Sequence, residues 1–377
     1  MIKLENVKKK FSDFTAVDGI SLEVPEGETC VLVGPSGCGK TTTLKMINHL
    51  IEPTSGQIFI EGKDSNQIDS VELRKNIGYV IQSIGLFPHK TVAENIAITP
   101  QLKGWEESRI NKRINELLEV VDLNIGRISN KYPYQLSGGQ KQRVGLARAM
   151  AVDPSIMLMD EPFAAVDPIT REHLQNMFLK LQRKMKKTIV FVTHDIDEAI
   201  KMGDRIALLK EGKVIQYDKP QELLASPKNG FAANFVGSDR ALKILNLFSV
   251  ENLMMEEPPE LKLEKGNEIL KKQLENTSPG TVFVVKDKEK YVGWVLALDA
   301  LKANDIKNAI NPLAGKVEIT ASVKEAVAEM LQNGIDAVRV VEDGETSGIM
   351  TMHYVRNYVE DICGVKNKVE DLQKVEV

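Results

Sequence analysis

Cysteine, tryptophan and long apolar runs are all scarce in this sequence. Three cysteines in 377 residues make no disulfide framework and favour a reducing, cytosolic setting. No apolar run reaches the roughly 18 residues that a membrane-spanning helix needs. The start, Met1 to Asn6, is not followed by the apolar segment of a signal peptide. If the protein works at a membrane, we therefore expect a partner to supply the membrane spans.

A strong excess of either charge is also missing. The net charge is −4, and residues 241–377 carry 17 basic against 23 acidic side chains, which leaves residues 1–240 slightly positive. Neither part is basic enough to predict nucleic-acid binding as a main activity. An apolar content of 42% with 27% charged residues is typical of globular folds, and the length predicts two or three domains.

The first informative pattern is Gly-Pro-Ser-Gly-Cys-Gly-Lys-Thr at residues 34–41. It matches the phosphate-binding loop G-x-x-x-x-G-K-[ST], in which backbone N–H groups and the lysine bind phosphates and the Thr hydroxyl ligates Mg²⁺. The strand-like run Thr29–Val33 precedes the loop and a helix is predicted over Thr41–Leu50, as the pattern requires. Alone, this loop predicts a nucleotide site common to kinases, GTPases and other NTPases.

The second pattern, Leu-Ser-Gly-Gly-Gln at Leu136–Gln140, narrows the class. With the phosphate loop before it, the chain resembles the ATP-binding-cassette (ABC) ATPases over residues 1 to about 235. The resemblance implies an α/β fold with a mostly parallel sheet and an inserted helical subdomain at about 94–150. The buried strands predicted at Ile156–Met159 and Thr188–Val192 agree with a sheet covered on both faces.

The same resemblance assigns the residues that would bind ATP. Phe11 lies 23 residues before Gly34, where the family places an aromatic ring that stacks on adenine; the alternative is ordinary core packing. Cys38 is interpreted as a small residue that fits the loop, without a redox role. The expected phosphate-binding set is Gly34, Ser36, Gly37, Cys38, Gly39, Lys40, Thr41 and Thr42.

Acidic residues end the buried strand at 156–159, as Asp160 and Glu161. By resemblance, Asp160 holds Mg²⁺ together with Thr41 and Gln82, and Glu161 is the general base that polarises the attacking water. The alternative is a strand that ends in solvated acids. His194 follows the next strand and would contact the γ-phosphate and position Glu161.

The signature segment implies a second copy of the chain. In the family, Ser137, Gly138, Gly139 and Gln140 contact the ATP of the other subunit, and Asp167 acts across the same interface. The chain has one phosphate loop and one signature, so a head-to-tail homodimer is expected. The family often has serine at position 164, where this chain has Ala164.

Beyond about residue 235 the pattern changes to short hairpins. Val284-Val285-Lys286-Asp287 is echoed by Val340-Val341-Glu342-Asp343, and Gly293 by Gly348. Ser322 and Glu325 form a predicted capping box before an apolar helix face of Val323, Ala326, Val327, Met330 and Leu331. This tail resembles a smaller α+β tandem of cystathionine-β-synthase-type (CBS) domains. The predicted boundaries are 1–235 for the cassette, 236–250 linker, 251–310 first CBS domain, 311–365 second, and 366–377 charged tail.

The run Glu161–Pro168 and the CBS tail together resemble importer ATPases for osmoprotectants: glycine betaine, carnitine or choline. The resemblance implies a peripheral protein on the cytoplasmic face, partnered by integral-membrane permease subunits and, indirectly, by an extracytoplasmic solute-binding protein. Three alternatives remain: an importer for a different small solute, a soluble non-transport ABC ATPase, or a regulatory binding module with a vestigial ATPase.

CBS pairs commonly bind adenine nucleotides, including cyclic di-adenylate in osmolyte importers, through a G-h-h-[ST]-x-x-D pattern. Each copy here is incomplete: the first has Asp299 but Leu296 in place of Ser/Thr, and the second has Thr351 but Tyr354 in place of Asp. Tyr354 could stack on a base and Arg356 could meet a phosphate. An inhibitory nucleotide site is thus weighed against ionic-strength sensing and plain dimerisation.

Overall fold

The computed structural model of the protein describes residues 1–82, 85–164, 166–277, 281–288, 290–312 and 315–363. The chain divides into two compact units, one of Met1–Leu223 with Pro227–Gly237 and one of Leu224–Ser226 with Ser238–Val377. The predicted charged tail at 366–377 lies outside the described residues. Across those described ranges, no helix combines the length and the apolar character that crossing a membrane requires.

Among the described residues of the first unit, ten strands in two sheets form the framework. The strands are β1 (Ile2–Phe11), β2 (Phe14–Val24), β3 (Thr29–Val33), β4 (Ser55–Ile60), β5 (Lys63–Asp64), β6 (Ile77–Val80), β7 (Ile156–Asp160), β8 (Thr188–Thr193), β9 (Arg205–Lys210) and β10 (Lys213–Asp218). The helices are α1 (Lys40–Ile47), α2 (Ser70–Asn76), α3 (Val92–Leu102), α4 (Glu107–Val120), α5 (Ile125–Ile128), α6 (Gly138–Ala149), α7 (Pro168–Met185), α8 (Ile196–Met202), α9 (Pro220–Ala225) and α10 (Gly230–Val236).

The larger sheet determines where the candidate site lies. Its order is β10-β9-β3-β8-β7-β6, parallel except for the edge strand β10. Every residue of β3, β7 and β8 is buried, as expected for apolar strands covered on both faces. The carboxyl ends of these three neighbours lie at one edge of the sheet, where ligands bind in such folds. The predicted α/β fold class is confirmed.

The second sheet is antiparallel, in the order β2-β1-β4-β5. Its strand β2 ends in the run Ile20–Val24, where buried and exposed residues alternate. Between β6 and β7 the chain forms the helices α3 to α6. Helix α3 begins at a Thr91–Glu94 capping box, and α4 buries one stripe of apolar residues at helical spacing, Ile110, Ile114, Leu117 and Leu118.

The second unit repeats one β-α-β-β-α arrangement. After α11 (Arg240–Leu245), the first copy contains β11 (Glu260–Lys262), α12 (Asn267–Glu275), β12 (Val282–Asp287), β13 (Lys290–Leu296) and α13 (Ala297–Lys302). The second contains β14 (Gly315–Glu318), α14 (Val323–Asn333), β15 (Ala337–Glu342), β16 (Glu345–Thr351) and α15 (Met352–Cys363). In each copy the first strand pairs in parallel with the second strand. The second and third strands pair antiparallel and form a hairpin. Both predicted hairpins are confirmed.

The predicted start of α14 is confirmed, but the prediction that Leu331 belongs to its apolar buried face is wrong. The Ser322 hydroxyl accepts a bond of 3.2 Å from the Glu325 N–H, and the Glu325 carboxylate accepts one of 2.7 Å from the Ser322 N–H. The side of α14 that faces the core carries Val323, Ala326, Val327 and Met330. Leu331 is 70% exposed instead, because it lies at the margin of that stripe and the core packs against the other four residues.

The hairpin of each copy forms a β-bridge with the segment that precedes the other copy; we call these the exchanged segments. Trp294, on the first hairpin, bridges to Asn311, which precedes the second copy; Ile349, on the second hairpin, bridges to Met255, which precedes the first. The segment predicted as a linker, 236–250, contains α11, and its Leu245 and Val250 are buried in the core of the second copy. The predicted domain boundaries themselves stay a prediction.

Candidate active site

The phosphate loop joins β3 to α1, and Lys40 is the first residue of that helix. Its side chain is buried, and its Nζ donates to the carbonyl oxygens of Gly34 at 2.7 Å and Pro35 at 3.0 Å. These bonds hold the ammonium within the curve of the loop. A fixed cation beside the N-terminus of α1 is a site suited to phosphate oxygens.

The curl of the loop depends on glycine at two positions. A Cβ at Gly34 would overlap the carbonyl oxygen of Leu209, and Gly39 has a φ of 104° with the carbonyl oxygen of Ala16 2.5 Å from where its Cβ would be. Between them, Ser36 and Gly37 are exposed, whereas Cys38 is buried. Burial raises the pKa of the Cys38 thiol, which supports the interpretation of this residue as a packing group.

The side-chain oxygens of Thr41 and Asp160 lie close together beside the phosphate loop. Asp160 ends β7 and is buried, and the Thr41 hydroxyl donates to its Oδ1 at 2.9 Å. Burial raises the pKa of the Asp160 carboxyl, while the bond from Thr41 opposes that shift. A carboxylate and a hydroxyl are the hard oxygen ligands that Mg²⁺ prefers, so this pair fits the predicted metal.

Three predicted catalytic residues meet at Glu161. Its carboxylate accepts from Gln82 Nε2 at 3.3 Å through Oε2, and His194 Nδ1 lies 3.3 Å from Oε1. Its backbone has a φ of 46° in the left-handed region, and its N–H donates to the Val192 carbonyl at 2.9 Å. The backbone at Glu161 therefore leaves the sheet between the ends of β7 and β8. Each carboxylate oxygen of Glu161 has a polar side chain beside it, Gln82 at one and His194 at the other.

Phe11 lies at the end of β1, where that strand turns into β2. Its ring is 43% exposed, which excludes the core-packing alternative, and the Lys9 ammonium lies 5.0 Å from its centroid. Phe14, paired with Phe11 across the turn, is 60% exposed.

Residues of the signature segment cap their own helix. The Ser137 hydroxyl accepts from the Gln140 N–H at 3.3 Å, and the Gln140 side chain accepts from the Ser137 N–H at 3.1 Å. A Cβ at Gly139 would lie 2.6 Å from Cγ2 of Thr170 on α7, so glycine allows close helix packing there. Gly138, beside Ser137, is exposed.

Asp167 caps α7. Its carboxylate accepts from the Thr170 N–H at 3.0 Å, and this bond lowers the pKa of Asp167. Thr42 is half-buried on α1. The roles predicted for Asp167 and for the signature residues on a partner's ATP stay predictions.

The predicted regulatory residues are divided between the two copies of the second unit. Asp299 is exposed on α13, whereas Thr351 ends β16 and Tyr354 and Arg356 lie in the first turns of α15. Thr351 is fully buried, and its hydroxyl accepts from the Tyr354 N–H at 3.3 Å. Tyr354 packs against the apolar cluster that joins the two hairpins. Their nucleotide-binding role stays a prediction.

Comparisons with known proteins agree with this geometry. The ABC transporter family matches residues 17–164, and the CBS domain family matches residues 312–361. The osmoprotectant import ATP-binding protein OsmV of Salmonella typhimurium is 44% identical over 373 residues, covering 95% of this chain and 96% of that protein. The glycine betaine/carnitine/choline transport ATP-binding protein OpuCA of Bacillus subtilis is 42% identical over 368 residues, covering 96% and 97%.

Among solved structures, a dimeric bacterial ABC transporter cassette superposes with a TM-score of 0.54 at 39% identity, covering 58% of this chain and 99% of that chain. That cassette is also known in a post-hydrolysis state with ADP and phosphate, at the same TM-score. The chain therefore belongs to the ABC transporter family, as an ATP-hydrolysing subunit of the osmoprotectant importer group that carries a C-terminal CBS region.

Proposed function

We propose that this subunit energises the uptake of a quaternary-amine osmoprotectant: glycine betaine, carnitine or choline. The observation that carries the proposal is similarity over nearly the whole chain, including the C-terminal unit. Besides the two relatives above, a carnitine transport protein of Listeria monocytogenes and a choline transport protein of Bacillus subtilis are 40% and 41% identical over 96% of this chain. The solute itself would be bound by other subunits, as such cations are held by aromatic side chains.

We propose the following division of roles in ATP hydrolysis. Phe11 stacks on adenine, and Lys40 with the loop amides of residues 34–42 binds the phosphates. Thr41, Asp160 and Gln82 would hold Mg²⁺, which neutralises charge on the phosphates when bound. Glu161 orients the attacking water and accepts its proton. His194 keeps the Glu161 carboxylate in place and contacts the γ-phosphate.

The two ATP sites would be completed by a second copy of the chain. In the proposed dimer, Ser137, Gly138, Gly139, Gln140 and Asp167 of one protomer face the ATP held by its partner. The exposed N-terminus of α6 supports this role, because helix N-termini favour anions. Similarity to a cassette solved as a dimer supports it as well.

The proposed location is the cytoplasmic face of the membrane, with the chain bound peripherally to permease subunits. An extracytoplasmic solute-binding protein would deliver the solute, and no nucleic acid is involved. A cell lacking its own osmolyte uptake, supplied with this chain, a permease and a binding protein, should accumulate labelled glycine betaine, carnitine or choline. The same cells with Glu161→Gln should not. Intact ATP hydrolysis without uptake of any of the three would refute the solute class.

For the second unit we propose an inhibitory adenine (cyclic di-)nucleotide site at a CBS dimer, with Tyr354 and Arg356 as its contacts. Calorimetric titration of the full chain with cyclic di-adenylate, in a Lys40→Ala background that weakens the ATP site, should give binding heat. Arg356→Ala should reduce that affinity. No heat at high micromolar ligand would exclude the nucleotide, and an ATPase rate that then responds to salt would favour ionic-strength sensing.

A further inference from the structure

A pocket lies behind the residues proposed to act on the γ-phosphate. It is lined by Glu161 and His194 and also by Thr193, Glu198 and Arg171. The last two were not predicted as site residues from the sequence. Glu198 is buried and Arg171 is half-buried, and a buried charge is costly unless other groups hydrogen-bond to it or pair with it.

Glu198, on α8, is a buried carboxylate attached to the loop that carries His194. Its Oε1 accepts from Gln175 Nε2 at 3.0 Å, and it lines the same pocket as Thr193. Thr193 is the residue immediately before His194, and its hydroxyl accepts from the Asp195 N–H at 3.1 Å. Glu198 also donates its N–H to Asp195 Oδ1 at 3.2 Å, so its carboxylate and its backbone both adjoin the turn that carries His194.

Arg171, on α7, lines the same pocket. One guanidinium nitrogen, Nη2, donates to the Val166 carbonyl at 3.1 Å, just before Asp167. Its Nε is buried, and among the described residues it has no hydrogen-bond partner. Its positive charge stabilises the ionised form of Glu198. Arg171 thus binds the segment around Asp167, which is proposed to meet the partner subunit, and lines the same pocket as Glu198 and His194.

We infer that Arg171 and Glu198 are a pair of positioning residues that couple the Val166–Asp167 segment to His194, so that the hydrolytic geometry forms only when that segment is in place. The inference rests on the proposed roles of Glu161 and His194. Neither Arg171 nor Glu198 touches the nucleotide in this account. Their loss should therefore lower kcat and leave nucleotide binding nearly unchanged.

The test is a set of full-chain variants assayed for ATP turnover with Mg²⁺. Glu198→Gln keeps the size and hydrogen-bonding capacity of the side chain but removes the charge, and Arg171→Gln removes the other charge. Each should lower kcat about tenfold or more, because small misplacements of a catalytic group are costly, with KM for ATP within about twofold. Glu172→Gln, an exposed change on α7, is the matched control and should leave both constants unchanged.

A double-mutant cycle decides whether the two act as a pair. The Arg171→Gln/Glu198→Gln double variant should lose no more activity than the worse single variant, and Arg171→Lys should recover part of kcat. Losses that multiply in the double variant, or single variants within about twofold of wild type, would overturn the inference. If Glu198→Gln does not fold, Glu198→Asp serves in the same cycle. Glu161→Gln and His194→Ala, assayed alongside, report on the proposed catalytic roles separately.

Discussion

The Nδ1 atom of His194 lies 3.3 Å from Oε1 of Glu161, while Gln82 holds the other carboxylate oxygen at 3.3 Å. These residues come from three separate loops at the edge of one parallel sheet. The Glu161 backbone is in the left-handed region, which is uncommon for a non-glycine residue and often marks functional sites. The carboxylate is therefore held in one orientation before a substrate arrives, as a general base requires.

Glu161→Gln should abolish most turnover without weakening ATP binding. The amide keeps the shape of the side chain and can still meet Gln82 and His194, but it cannot accept a proton. General-base catalysis typically contributes 10²- to 10⁴-fold, so phosphate release should fall by at least about 100-fold. Lys40→Ala is the contrasting variant, because it should lose nucleotide affinity itself. Turnover in Glu161→Gln within tenfold of wild type would contradict the assignment of the base.

The same variant should dimerise on ATP. With hydrolysis blocked, Mg²⁺ and ATP should hold two chains together through the phosphate loop of each and the signature of the other. Light scattering during gel filtration should then show a doubling of mass that ADP does not produce. Adding Ser137→Arg, which places a bulky cation at the exposed N-terminus of α6, should return the protein to a monomer. A Glu161→Gln chain that stays monomeric at saturating ATP would end the shared-site account.

Phe11→Ala should weaken ATP binding, and Phe11→Tyr should not. Stacking of a base on an aromatic ring contributes about 1–3 kcal/mol, which corresponds to an increase in Kd of roughly 5- to 150-fold. Phe14→Ala is the matched control on the opposite side of the turn. Fluorescence titration with a labelled ATP analogue measures all three. If Phe14→Ala is the more damaging change, the two phenylalanines have exchanged roles.

Much of the site was predictable because its chemistry is local in sequence. Gly34, Lys40 and Thr41 fall within one loop, and the strand before it could be identified from its apolar run. Each predicted phosphate-loop or acidic residue lies at the sheet edge where parallel strands end. The fold class followed for the same reason, since buried parallel strands have a plain compositional pattern.

What could not be predicted depends on contacts between distant segments. The Arg171–Glu198 pocket joins α7 to α8, and nothing in either helix alone distinguishes Glu198 from a surface acid. The exchanged bridges of the second unit, Trp294 to Asn311 and Ile349 to Met255, likewise bring together residues far apart in the chain. The exposure of Leu331 was missed because a helix face is set by its partners as well as by its own spacing.

Gly348→Ala should destabilise the second unit. A Cβ at Gly348 would overlap the carbonyl oxygen of Met255, the backbone of the exchanged segment, and cannot be relieved by moving a side chain. Overpacking of this kind costs about 1–3 kcal/mol. Gly293→Ala, in the equivalent place against Asn311, should behave alike. Calorimetric melting of the full chain should show both shifts, and Gly230→Ala, which has open space, should show none. Unchanged melting in both hairpin variants would refute the exchanged packing.

Glu198→Gln should raise the stability of the first unit at neutral pH while it lowers turnover. Burial raises the pKa of Glu198 above its ordinary value of 4.5, and the hydrogen bonds from Thr193 and Gln175, followed by the charge of Arg171, only partly offset burial. The folded chain thus binds this proton more tightly than the unfolded chain does. Stability is therefore lost as the pH rises from about 4.5 through the raised pKa.

The side chain of the Glu198→Gln variant is uncharged at every pH, so the variant does not lose folding stability in this way as the pH rises. The difference in melting temperature between Glu198→Gln and wild type should be small near pH 4.5, grow as the pH rises, and then level off. Glu172→Gln, exposed on α7, should show no such trend. A melting difference that is constant with pH would mean that Glu198 is not held against ionisation. A rising difference together with a lower kcat would show that this carboxylate is kept at the expense of stability, as expected for a residue that serves the reaction.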